Sequence, residues 1–361
     1  WDIAMPPLFQ PGMTEPPDSG FLPFLNLKAP LVLFILDRRL SKVGASFGLS
    51  RALNKIFLDA LTGELQNNVF STSQFLRQCR KLGGVDLSTF SDQWIYGSGC
   101  PHIFLTAVFN RKKLLIEMNI RQECPAATFA VNNPNDAVYS NPIERFEGQI
   151  TVRIHEADGT PYEHVIDIDS LDKRIDVPFN TKYKRIRRNT KRFQARKEAA
   201  AAAAQGDEEA REAMGLIDLG FVFREWEDEA EREAWRVADW TEQEEADMNS
   251  APYEWIRVDP EMEWLATIYF QQESWMWISQ LERDRDIVAQ VGAVQALSSA
   301  PSPLVSSMLT RTVLVDKYFF RVRTEAAQGL VNCATPALDQ IGLFHLLKLF
   351  QTRYCPAQPP D

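Results

Sequence analysis

The spacing of apolar positions changes character several times along the chain, and each change marks a different kind of structure. From Leu49 the positions Leu49, Ala52, Leu53, Ile56, Phe57, Ala60 and Leu61 follow i, i+3, i+4 spacing, with Ser50 near the start and Gly63 just past the end. That period places one apolar stripe on a helix. A second helix is predicted where Ser71 or Thr72 can cap, Phe75, Leu76 and Cys79 share a face, and Gly83-Gly84 stop the run. Val85, Leu87, Phe90 and Trp94 give a third, short helical stripe. Ahead of these, prolines at positions 6, 7, 11, 16, 17 and 23 remove backbone donors and fix dihedrals, so residues 1–24 read as an irregular arm.

Beyond Gly97-Ser98-Gly99, which reads as a hinge, the period falls to two. Ile103 to Gln122 forms two extended runs around the polar turn Asn110 to Lys113, with Leu114, Ile116, Met118 and Ile120 in strict alternation. A second hairpin is predicted at Ile150, Val152 and Ile154, turning at Asp158-Gly159 and returning through Val165 or Ile166 and Ile168. Between them, Asn132-Asn133-Pro134-Asn135 and Asn141-Pro142 are loop chemistry. Lone hairpins cannot cover their own apolar faces, so residues 99–180 are expected to form a β-sandwich domain.

Residues 181–250 read as a charged insertion or linker, partly helical and partly disordered. It holds a basic run, six alanines from Ala199 to Ala204, and an acidic stretch without a continuous apolar stripe before Trp226, Trp235 and Trp240. Residues 251–270 alternate and read as extended. From 271 to 361 helices resume: Ala289, Ala293 and Leu297 superpose on Val322, Ala326 and Leu330 at a 33-residue offset, with Pro301 and Pro303 breaking the chain between them. That spacing suits stacked helix pairs of the HEAT or armadillo type. The fold class expected is therefore multidomain α+β, helical at both ends with a β-sandwich between.

Composition narrows the function classes. With 361 residues, 45% of them apolar and 11% aromatic, most of the chain can bury a core. The longest apolar run, Ala29 to Leu36, ends at Asp37 after eight residues, far short of the ~20 that span a bilayer, so no membrane partner is expected. Five cysteines are an odd number with no CxxC spacing, which argues against a disulfide framework and a four-thiolate zinc site and fits a reducing compartment. The opening at Trp1, running straight into Pro-rich sequence, reads as that of an excised piece. The net charge of -10 conceals a segregation: Thr181 to Lys197 holds nine basic residues and no acid, whereas Asp207 to Asp247 holds sixteen acids and four arginines.

Catalytic chemistry is hard to find. The four histidines, His102, His155, His164 and His345, never form HExxH; His155-Glu156 continues as Ala157-Asp158 with no second histidine in place. No metal and no cofactor are expected, and neither a GxSxG elbow nor a Gly-rich phosphate loop occurs. The strongest binding signal is the basic run Lys182, Lys184, Arg185, Arg187, Arg188, Lys191 and Arg192, continued by Arg196 and Lys197 and interleaved with Tyr183 and Phe193. It either folds against the acidic stretch downstream or contacts the phosphates of DNA or an acidic partner.

DLSTFSDQWIYGSGCPHI at 86–103 is similar to the junction in gluzincin zinc aminopeptidases where the helical end of the catalytic domain passes into a β-sandwich, with Asp86-Leu87, Trp94 and Gly99-Cys100-Pro101 in matching places. A wider set of segments carries a more specific likeness: KAPLVLFILDRRL at 28–40, GLSRALNKIFLDALTGELQN at 48–67, QWIYGSGCP at 93–101, YEWIRVDPEMEWL at 253–265 and ERDRDIVAQVGAVQAL at 282–297. Together they resemble the family of subunit 2 of the general transcription factor TFIID, TBP-associated factors with an aminopeptidase-like fold, from about Leu25 to Leu330. The resemblance implies that residues 25–98 are the helical end of the aminopeptidase-like domain and that no catalytic residue carries over. It further implies a noncatalytic scaffold in the nucleus. Its implied partners are other TBP-associated factors, the largest subunit and histone-fold subunits, together with core-promoter DNA, in RNA polymerase II preinitiation complex assembly. The rival expectation is the C-terminal part of an active zinc aminopeptidase.

Overall fold

A computed structural model of the chain describes residues 5–9, 20–43, 48–65, 69–132, 141–156, 161–180, 226 and 228–355. The chain divides into two compact units, the first comprising Trp1–Arg153, Glu163–Phe179 and Val258–Gln271, the second Ile154–Tyr162, Asn180–Arg257 and Gln272–Asp361.

The first unit begins with a helix that the apolar spacing did not announce, α1 (Leu22–Val43). Its inner face buries Phe24, Val32, Ile35, Leu36 and Leu40, but Leu27, Leu31 and Phe34 occupy the outer face and blur the stripe, and Pro30 sits inside the helix. α2 (Leu49–Leu61), α3 (Thr72–Gly83) and α4 (Ser88–Trp94) match the three predicted helices. Ser71 caps α3 in a reciprocal box with Gln74, and Gly84 ends it in the left-handed region at φ 64°. Within α1, Lys28 is buried, and its ammonium donates to the carbonyls of Pro6 at 2.7 Å and Gly97 at 3.4 Å. Burial pushes its pKa down to about 8.

The segment read as a hinge is pinned. Ser98 N–H donates to Asn141 O at 3.0 Å, Ile143 N–H donates back to Ser98 O at 3.2 Å, and Ser98 is fully buried. A Cβ at Gly97 would lie 2.6 Å from Asp92 O and from Ile143, so only glycine fits this approach. Beyond it run β1 (His102–Asn110) and β2 (Leu115–Glu123), the first predicted hairpin, then a short helix α5 (Pro125–Asn132). β3 (Gly148–Glu156) and β4 (Pro161–Ile168) are the second predicted pair, followed by β5 (Asp172–Pro178). The residues read as extended after the insertion hold β6 (Tyr253–Val258) and β7 (Thr267–Phe270).

One sheet has the order β5-β2-β1-β7 and the other β4-β3-β6. β7 lies parallel to β1, with Phe104 opposite Tyr269, so the four-stranded sheet is completed by residues from beyond the charged segment. The sheets thus draw on 99–180 and 251–270 together. Strand alternation sends Ile103, Leu105, Ile116, Met118 and Ile120 inward, all of them buried. At the helical edge of this core Trp94 is wholly buried, its ring centroid 4.9 Å from that of Phe146 and 6.0 Å from that of Trp264 in an edge-on contact.

In the second unit, α6 (Glu229–Trp235) and α7 (Glu242–Ser250) precede the helices α8 (Ser274–Arg283), α9 (Ile287–Ser299), α10 (Pro303–Leu314), α11 (Phe320–Gly329) and α12 (Ile341–Tyr354). Trp226 and Trp235 of the acidic stretch join the apolar cluster of these helices, with ring centroids 5.8 Å apart. All six positions that superpose at the 33-residue offset are buried. Small residues let the helices approach: a Cβ at Gly329 would lie 2.1 Å from Ser298 Oγ. Arg257, buried, donates to Asp284 at 3.3 Å and Asp286 at 2.6 Å, and Asp286 also caps α9 through Val288 N–H.

Truncating Trp94 would open a cavity under Phe146 and Trp264. Trp94→Ala is expected to cost about 3 to 5 kcal/mol, read from denaturant unfolding; a wild-type midpoint would show that this contact does not organise the helix-to-sheet junction.

Candidate interaction surface

The predicted contact residues Lys182, Lys184, Arg185, Arg187, Arg188, Lys191 and Arg192 lie outside the described residues. What the structure does describe is how the other chemically capable side chains are used. His345 is fully buried, with Nδ1 2.7 Å from Ser306 Oγ and Nε2 2.7 Å from the carbonyl of Trp235. A carbonyl can only accept, so Nε2 carries the proton and Nδ1 accepts from the serine. This serine–histidine pair resembles a nucleophile and its base, but both side chains are sealed from solvent. It therefore joins α10, α12 and the end of α6. Burial lowers the pKa of His345 and keeps it neutral.

The remaining histidines are dispersed. His155 stacks on Trp255 with centroids 4.1 Å apart, and His102 meets the edge of Tyr269 at 5.7 Å. Among the described residues no group of three or more His, Cys, Asp or Glu could hold a metal ion. The cysteines are all free, and burial pushes the thiols of Cys79 and Cys124 up to about 11, where the nucleophilic thiolate is scarce.

The polar centre of the first unit is the turn between β6 and β7. Asp259 stands at φ 51°, and Met262 N–H donates to its carbonyl at 3.1 Å, closing a β-turn with Pro260 at the second position. The Asp259 carboxylate accepts Glu263 N–H at 2.7 Å and Trp264 N–H at 3.0 Å, which aims Trp264 at Trp94; the indole N–H then donates to Gln149 O at 2.7 Å. Glu263, buried, accepts from Thr151 Oγ1 at 3.1 Å and pairs with Lys42 at the end of α1. Arg153 is shared between Glu163 and Glu261. The Asp-Pro pair is the sequence signal for this turn; the acceptor role of the carboxylate has none.

Besides the outer face of α1, exposed apolar side chains emerge on α2 and α12. The predicted stripe of α2 is only partly covered, since Leu49 and Ala52 are buried whereas Phe57 is 63% and Leu61 85% exposed. On α12, Leu347, Phe350 and Tyr354 face water as well. Hydrophobic periodicity finds such faces but cannot say which are covered.

A model of the Ig-like domain of TAF2 matches residues 98–273, and one of TAF2-like TPR repeats matches 274–360. Transcription initiation factor TFIID subunit 2 of Schizosaccharomyces pombe is 39% identical over 98% of this chain, and that of Saccharomyces cerevisiae 34% identical over 93%. The chain belongs to the TFIID subunit 2 family. It spans 31% of the fission yeast subunit's length and 25% of the budding yeast subunit's. Within this family member, the Ig-like match takes in the strands on both sides of the charged stretch, and the repeat match begins where α8 does. Aminopeptidase A of Legionella pneumophila, solved with aspartic acid, superposes at a TM-score of 0.45 and 9% identity over 92% of this chain and 32% of that one, a likeness too slight to carry an argument.

Burial raises the Asp259 pKa to about 6, against an ordinary value of 3.8. A carboxyl with a raised folded pKa contributes stability that is present below the ordinary value and is lost as pH rises through the folded one. Relative to Asp259→Asn, the wild-type protein should therefore gain on the order of 2 to 3 kcal/mol between about pH 6 and pH 4, measured by denaturant unfolding across that range. Parallel pH profiles of the two proteins would refute a buried charge at this turn.

Proposed function

We propose that this member of the TFIID subunit 2 family is a noncatalytic scaffold that supports assembly of the RNA polymerase II preinitiation complex at core promoters, in the nucleus. Family membership across residues 98–360 is the observation that carries the reading. The partners are other TBP-associated factors, the largest subunit and the histone-fold subunits among them, with core-promoter DNA met through the basic run. In this reading the helical part is a HEAT-like or armadillo-like stack that presents broad faces rather than a pocket, a reading supported by the burial of all six offset positions. Further support comes from how the reactive side chains are used: His345 and Ser306 bond each other inside a core, and Cys79 and Cys124 are buried with raised pKa values. Function then rests on surfaces, not on a reacting centre.

The expected result for the full-length protein is no stoichiometric zinc and no hydrolysis of aminoacyl amides; bound zinc with turnover would replace the scaffold reading by that of an active zinc aminopeptidase. For the basic run, reversing charge at Arg185, Arg187 and Arg188 together should weaken DNA binding alike for all sequences and reduce the salt slope by roughly one per lost phosphate contact. Binding unchanged in affinity and slope would assign the run to neutralising the acidic stretch instead.

A further inference from the structure

Within the second unit, α9 and α11 run parallel and start at the same end. Gln295 of α9 donates to Glu325 of α11 at 3.0 Å, a pairing offset by 30 residues, and Ser298 lies against Gly329 a turn further on. Followed back to the helix starts at a rise of about 1.5 Å per residue, that register brings Val288 level with Tyr318, at the entry to α11. The Tyr318 hydroxyl donates to Leu281 O at 3.3 Å, which holds the loop before α11 against the end of α8. Two loops and two helix starts therefore share one end of the helical stack. Its surface is apolar: Ile287 and Val288 open α9, Phe319 and Phe320 open α11, and all four are between 41% and 61% exposed. Single exposed apolar residues are ordinary, but two adjoining pairs, one of them phenylalanine with ring centroids 4.6 Å apart, mark a place where something else packs.

The charges at this end say what fits. The carboxylates of the two loops are already engaged, Asp284 and Asp286 by Arg257 and Asp316 by Arg323 and Arg353. By contrast Arg285, Lys317 and Arg321 are exposed, and none of them forms an ion pair among the described residues. The Arg321 guanidinium lies 5.9 Å from the Phe320 ring centroid, so positive charge is set into the apolar surface itself. The backbone adds donors. Asp286 caps α9 by accepting Val288 N–H, whereas no side chain caps α11 and its first turn holds no acid. The leading N–H groups of α11, which have no acceptor within the helix, open onto the same end.

We infer that the shared starting end of α9 and α11 docks a short acidic segment of another protein. Its aromatic or aliphatic side chains pack on Val288 and the two phenylalanines, its carboxylates meet Arg285, Lys317 and Arg321, and one carboxylate caps α11. A neutral apolar segment would strip water from three cations without pairing them, and a basic one would meet like charge. The inference stands without the scaffold reading and without the basic run, since it concerns the chemistry of one end of the helical stack.

The test uses the full-length protein and three fluorescent peptides of equal length: one of alternating phenylalanine and glutamate, one with lysine for glutamate, and one with alanine for phenylalanine. By fluorescence anisotropy the first should bind at least about tenfold more tightly than either of the others. The double variant Lys317→Glu with Arg321→Glu should weaken that peptide at least about tenfold without lowering the melting temperature, because a glutamate in the first turn suits the positive end of α11. Phe319→Ser with Phe320→Ser should give a similar loss from the apolar side. No binding of the acidic aromatic peptide, equal binding of the basic one, or full binding by the folded charge variant would overturn the inference. So would a tenfold gain in peptide affinity on replacing Glu208, Glu209 and Glu212 by Gln, which would make the protein's own acidic stretch the occupant; unchanged affinity is expected.

Discussion

The parallel pairing of His102–Leu105 with Thr267–Phe270 is the constraint on which the rest of the first unit depends. It joins strands separated by more than a hundred and fifty residues of chain, and after β5 the chain leaves this sheet and returns to it only at β7. The entropic cost of closing so long a loop grows only slowly with its length, and a charged stretch can therefore sit inside the excursion without destroying the fold. Closure is secured from the side-chain end as well. The turn ahead of β7 is fixed by Asp259, which aims Trp264 at Trp94, and Glu263 ties the same turn to Lys42 of α1.

Buried polar groups follow a common logic in both units. Lys28 meets backbone carbonyls, Gln122 exchanges hydrogen bonds with Phe146, and His345 is shared between a serine hydroxyl and a carbonyl. Each bond links segments distant in sequence, and each leaves the group engaged instead of available. A buried donor or acceptor without a partner costs free energy comparable to a lost hydrogen bond, so side chains that look reactive in a linear reading are recruited to fasten the fold. What the interior does not use includes the exposed apolar side chains of α2 and α12 and the segregated charge of the intervening stretch.

Much of this was legible in the amino-acid order. Period-3.6 stripes gave α2, α3 and α4, strict alternation gave the first hairpin, and the 33-residue offset picked out Ala293, Val322 and Ala326, all in the interior. α1 escaped notice because leucine and phenylalanine occupy both of its faces. β5 did so because its alternation is weak, with Asp, Lys, Arg and Pro among seven residues. Gly97-Ser98-Gly99 looked flexible by composition, yet it is fixed by close packing against Ile143 and by hydrogen bonds to the Asn141–Ile143 stretch.

Local order determined which segments are helical or extended, the family to which the chain belongs, and where charge accumulates, because these follow from neighbours within a few turns or from shared residues. Only the tertiary structure decided which apolar stripes are covered, that β1 finds its second neighbour beyond the insertion, and that Ser306 and His345 are sealed together. The reason is physical: burial, strand pairing and proton position are set by groups that meet across long stretches of chain, and no periodicity within one segment records what will come to lie against it.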